Sequence, residues 1–191
     1  MNCLMAKSEG KWSKIKYAVL IFIFTFICAS VMYLFSQLVL SNIKSIIVGF
    51  ILLLAVIIIG IVFDIVGTAV AVANPATFRA KASRKLAGTK KSLVLIDNAD
   101  KVANICNDVV GDICGTVSGG IGAALVFVLV SSGGTMEIIV SVIMTGIIAA
   151  LTVGGKALGK NFAISKADFI IWNVGKILDW KAVLKNKKTK N

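Results

Sequence analysis

The chain contains no histidine, a single proline (Pro75) and only nine acidic residues against 21 lysines and arginines. Without histidine, the commonest metal ligand and the commonest general base are both missing. The four cysteines, Cys3, Cys28, Cys106 and Cys114, form neither a C-x-x-C pair nor a disulfide framework. They read as reduced thiols, and no zinc site follows from them. There is no nucleophile-plus-base set, no phosphate-binding glycine loop and no H-E-x-x-H motif, so the chain does not read as an enzyme. Charged residues of all kinds make up only 16% of it.

What fills the chain instead is apolar: 58% of its 191 residues are hydrophobic. These residues form runs longer than the ~20 needed to cross a bilayer, without the alternating faces of soluble helices. Residues 17–40 hold no charge at all, and residues 46–73 are interrupted only by Asp64. The proline closes this second run at Asn74-Pro75. A third span follows from the 97–130 region, its first turns outside the membrane and its apolar part starting near Val109. A fourth runs from Glu137 to about Gly155. The expected class is all-α: a polytopic membrane helix bundle of about four transmembrane helices. The rival reading of residues 1–40 as a cleaved signal peptide is disfavoured, because its apolar core is too long and Cys28-Ala29-Ser30 is a poor cleavage site.

The net charge of +12 is gathered in three clusters, each beside a hydrophobic run. Residues 1–16 carry Lys7, Lys11, Lys14 and Lys16. The 76–101 loop carries Arg79, Lys81, Arg84, Lys85, Lys90, Lys91 and Lys101. The region from Lys156 onward is again rich in lysine. This is the pattern of the positive-inside rule, which makes anionic lipid headgroups the expected partner rather than nucleic acid. The predicted protein sits in the cell membrane with both termini and its long loop cytoplasmic. The loop reads as a juxtamembrane hairpin of two short amphipathic helices around Gly88. Phe162, Phe169, Ile170, Trp172, Ile177 and Trp180, interleaved with lysines, suit a carboxy-terminal interfacial helix before the basic tail 181–191.

Ionisable groups within spans cost roughly 2.5–3.5 kcal/mol on insertion scales, so each one marks a candidate site. Asp64 lies about 15 Å from the inner end of its helix. Gly60, Asp64, Gly67, Thr68 and Ala71 share a small, polar stripe of that helix. On the third span, Lys101, Asn104, Asp108, Asp112 and Gly115 share another, with Asn107 beside it. Gly111, Gly115 and Gly119 repeat every four residues, a spacing that lets helix backbones approach closely. The candidate cation ligands are Asp64, Thr68, Asn107, Asp108 and Asp112, oxygen donors suited to a hard ion such as Mg²⁺. The plain alternatives are headgroup-level charges, internal pairing with a lysine, and packing glycines.

Residues 63–82, FDIVGTAVAVANPATFRAKA, resemble the signature of the transmembrane domain shared by the cyclin M and CorB/CorC magnesium transporters. That signature reads approximately F-S-G-S-E-T-A-L-x-x-x-N-x-x-R-L-R-A-L-A. Phe63, Thr68, Ala69, Asn74, Arg79, Ala80 and Ala82 match it in register. Asp97-Asn98-Ala99-Asp100-Lys101 is similar to the family's E-N-P-D-R, and Asn107 to its G-N-N, a few residues out of step. The segment from Val153 to Lys160, VGGKALGK, is similar to V-F-G-E-I-L-P-K. The resemblance spans residues 50–180. It implies a dimeric three-helix domain (45–180 here, with 17–40 an added helix) that moves Mg²⁺, with proposed coupling to Na⁺. The departures are specific. Asp64, Ile65, Val66 and Gly67 stand where the family has S-G-S-E, and Lys156 and Gly159 replace a glutamate and a proline. A lysine at 156 could stand internally for a bound cation. With the chain ending at Asn191, the family's nucleotide-sensing CBS-pair domain is expected to be absent, leaving a separate regulatory protein as a candidate partner. The readings carried forward are a cation-binding or transporting protein, with no cofactor beyond bound Mg²⁺ or Na⁺; a non-transporting scaffold or regulatory relative; and a small pore-forming, holin-like protein.

Overall fold

The computed structural model describes residues 15, 18–34, 37–38, 46–130 and 134–179. Among them the chain is helical, with no strand. In chain order the helices are α1 (Ala18–Leu34), α2 (Ile46–Val72), α3 (Pro75–Ser83), α4 (Thr89–Asp97), α5 (Ala99–Leu129), α6 (Thr135–Ser165) and α7 (Ala167–Leu178). Three of them, α2, α5 and α6, are long and apolar enough to cross a membrane. The all-α expectation therefore holds. The first expected span is described only as Ala18–Leu34; residues 17, 35, 36, 39 and 40 lie outside the described part, as do the basic amino terminus, Trp180 and the 181–191 tail.

The helices are covered in exposed apolar side chains, among them Phe22, Ile47, Phe127, Met136 and Val153. A surface of this kind suits hydrocarbon, and with three helices long and apolar enough to span it is that of an integral membrane protein. Two apolar clusters hold the bundle together. One joins Leu53, Val56 and Ile57 of α2 to Val109, Ile113, Cys114, Val117, Ile121 and Leu125 of α5 and Ile148 of α6. Ile21, Cys28, Ala29 and Met32 of α1 pack onto it. The other gathers Ala69, Val70 and Ala73 at the end of α2 with Phe78, Ile96, Ala163, Ala167 and Ile171. Asp64 falls on α2 between the two.

Several boundaries differ from expectation. The helix that carries the fourth expected span runs on past Gly155 to Ser165. Its glycines do not break it, because Gly155 and Gly159 serve as contact points for Ile61 and Ile65. In a low-dielectric setting the backbone also keeps its internal hydrogen bonds. The third span is one helix from Ala99, but Ile105–Val110 is wound as a π-helix. There the Gly111 N–H donates to the Cys106 carbonyl, five residues back. Ala71 on α2 is exposed and drops out of the expected stripe.

The expected pair of short helices between the second and third spans is α3 and α4. Asn74 opens α3, its side chain accepting from the Ala76 N–H at 2.9 Å, with Pro75 in the first turn. Gly88 starts α4 with φ +83°, in the left-handed region. Helix α7 packs against this hairpin. The Trp172 Nε1–H donates to the Ala87 carbonyl at 3.2 Å, and Ser92 Oγ lies 3.0 Å from the Ile171 carbonyl. A Cβ on Gly88 would fall 2.6 Å from the Lys176 backbone nitrogen. Gly88→Ala therefore combines left-handed strain with a backbone clash, and should cost about 2–3 kcal/mol. Thermal unfolding in detergent measures this; a variant as stable as wild type would remove that close contact from the account.

Candidate functional site

The site begins with a carboxylate that α2 has no local way to satisfy. Asp64 is 3% exposed. Nothing polar on its own helix bonds it, so the compensation has to come from neighbouring helices. Lys156 of α6 supplies part of it, with Nζ 4.0 Å from Asp64 Oδ1. That separation is an ion pair but is longer than a direct charge-assisted hydrogen bond of about 2.7–2.9 Å. The other carboxylate oxygen, Oδ2, has no hydrogen-bond partner among the described residues.

Two more buried oxygens share this condition, Oδ1 of Asn107 on α5 and Oγ1 of Thr152 on α6. Thr152 and Lys156 are four residues apart and so lie on one face of α6. Asn107 reaches α2 through the π-wound turn, its side chain resting against Gly67. Gly67 has no Cβ to block that approach, and neither has Gly60, which faces Cys114 about two turns further along α5. Gly111 leaves room on α5 for the lysine head: a Cβ there would sit 3.1 Å from Lys156 Nζ. Three helices thus contribute one paired carboxylate and ammonium, Asp64 and Lys156, and two further buried oxygens without partners among the described residues, with glycines where Asn107, Cys114 and Lys156 approach.

The remaining candidates lie elsewhere. Thr68 is half-buried on α2. Asp108 and Asp112 are exposed, as are Lys101 and Asn104, so that stripe of α5 faces away from Asp64. The inward face of α5 instead runs Cys106, Val109, Ile113, Val117, Ile121 and Leu125. Gly111 is a contact point within the chain, whereas Gly115 and Gly119 meet nothing within 4 Å. No group of three His, Cys, Asp or Glu residues gathers to hold a metal among the described residues. The donor set at Asp64 is one carboxylate with an ammonium already against it. That pairing leaves little net negative charge for Mg²⁺, which is held through carboxylates and retained waters.

Thr152 was not a sequence candidate. Its spacing to Lys156 was readable, but only if α6 was known to run on past Gly155. Compared with family models, with curated proteins and with solved structures, the chain matches none.

Proposed function

We propose that this membrane protein binds a monovalent cation at Asp64 in exchange with the ammonium group of Lys156, as a divergent relative of the CorB-type transmembrane domain. The observation that carries the reading is the buried, half-satisfied carboxylate: one oxygen faces Lys156 at 4.0 Å and the other has no partner among the described residues. Buried polar atoms without partners are rare, and they mark places where a ligand or a moving group completes the set. Asn107 Oδ1 and Thr152 Oγ1 are the additional oxygens available to an incoming ion. Lys156, 21% exposed at its side chain, is the group able to swing aside.

Liposome flux tests this. Purified protein reconstituted with Na⁺- or Mg²⁺-sensitive dyes should pass Na⁺. Asp64→Asn should reduce the rate at least about ten-fold, the effect of removing roughly 1.4 kcal/mol of ion binding. Lys156→Gln should raise Na⁺ affinity by removing the internal competitor. Wild-type liposomes without Na⁺ flux would sink the transport reading. The second reading, a non-transporting scaffold, is favoured by the ion pair itself, which needs no ion to be useful. It expects no flux and a large stability loss when the pair is broken.

A further inference from the structure

At the hairpin end of the bundle, two lysines from different helices converge on one ring. Lys176 Nζ of α7 lies 3.5 Å from the Trp172 ring centroid, and Lys81 Nζ of α3 lies 4.6 Å from it. Lys81 also lies 5.2 Å from the Phe78 centroid. The indole is held in place by its bond to the Ala87 carbonyl. Each ammonium gains from the ring's negative face. Drawn to the same ring, however, the two like charges repel. Among the described residues no carboxylate lies within ion-pair distance of either one.

Both lysines are half-buried, unlike Arg79, Arg84, Lys85, Lys90 and Lys91, which are exposed. Beside them, α7 leaves Phe169, Ile177 and Leu178 uncovered. The helix follows the long apolar α6 after a single residue, at the same end of the bundle as the basic hairpin it packs against. An unneutralised pair of ammonium groups next to an uncovered apolar face suits an amphiphile with an anionic head.

We propose that Lys81, Lys176 and Trp172 form a binding site for the phosphodiester headgroup of an anionic membrane lipid, with its acyl chains along the exposed face of α7. The site is independent of the cation reading and stands or falls separately from it.

Native mass spectrometry of the full chain in detergent, with equal phosphatidylglycerol and phosphatidylcholine, reads it directly. Wild type should retain phosphatidylglycerol preferentially. The double variant Lys81→Gln/Lys176→Gln should lose roughly thirty-fold of that preference, at about 1 kcal/mol per basic residue. The single Lys81→Gln variant should lose about five-fold and serves if the double fails to fold. Lys90→Gln/Lys91→Gln removes the same charge from the hairpin surface and should stay within about two-fold of wild type. Equal losses in the two double variants would reduce the effect to general charge and overturn the site. So would unchanged preference in Lys81→Gln. Displacement of the lipid by excess inorganic phosphate would assign the site to a free anion and overturn the lipid assignment.

Discussion

Lys156→Met should destabilise the bundle by about 3 kcal/mol, and adding Asp64→Leu should return most of that loss. The reasoning rests on what each change leaves behind. Removing the lysine head strands a carboxylate that is 3% exposed between two apolar clusters. Breaking a buried pair by removing one partner costs about 3–5 kcal/mol, and insertion scales place an unpaired aspartate near mid-span at about 2.5–3.5 kcal/mol. Replacing both partners with apolar groups removes the desolvation burden along with the attraction, and is commonly neutral. The four variants form a double-mutant cycle, read by denaturant unfolding in bicelles. A coupling near zero would mean that the 4.0 Å contact contributes nothing to holding α2 against α6. A strong coupling with no ion flux would favour the scaffold reading. Strong coupling together with Asp64-dependent flux would make the same pair both brace and gate.

Gly67→Ala should cost about 1–3 kcal/mol, whereas Gly115→Ala should leave the fold of a single chain unharmed. Both positions are helical glycines, and in both alanine improves helix propensity by up to about 1 kcal/mol. They differ in what the new methyl meets. At Gly67 it would collide with the Asn107 side chain, lying 2.7 Å from its Cγ and 2.9 Å from Cys106 Cβ. Cys106 and Asn107 belong to the π-wound turn, so relief requires α5 to back away from α2. At Gly115 nothing lies within 4 Å. Unfolding midpoints of the two variants decide the matter; equal behaviour would remove Gly67 as the contact that lets Asn107 reach the site. If a second copy packs on that face of α5, Gly115→Ala would instead weaken dimers, visible by cross-linking.

The comparison of these two glycines shows why the fold was more legible than the site. Asn74-Pro75 and Gly88 bound the hairpin by local backbone rules, and those rules operate wherever the residues occur. The charge-free and nearly charge-free runs likewise announce long apolar helices through hydropathy summed along the chain. The Gly111-Gly115-Gly119 ladder is equally visible, but among the described residues a Cβ would meet a neighbour within 4 Å only at its first member. Asp108 and Asp112 read as companions of Asp64 because they share a stripe with Lys101 and Asn104. The tertiary structure turns that stripe outward.

By itself, the sequence determined an all-helical membrane chain, its hairpin, its basic clusters and the presence of one deeply placed carboxylate. Only the tertiary structure decided which face of α5 turns inward, that α6 runs on past its glycines, that Lys156 meets Asp64, and that Asn107 Oδ1 and Thr152 Oγ1 are buried without partners among the described residues. The physical reason is the solvent. In water the buried face of a helix is marked by its apolarity, but lipid is as apolar as the interior, so hydropathy marks the span and not its facing. Facing is set by where backbones can approach, at Gly60, Gly67 and Gly111, and by how a π-turn re-aims the residues around it. Those are properties of pairs of helices, which no single stretch of sequence contains.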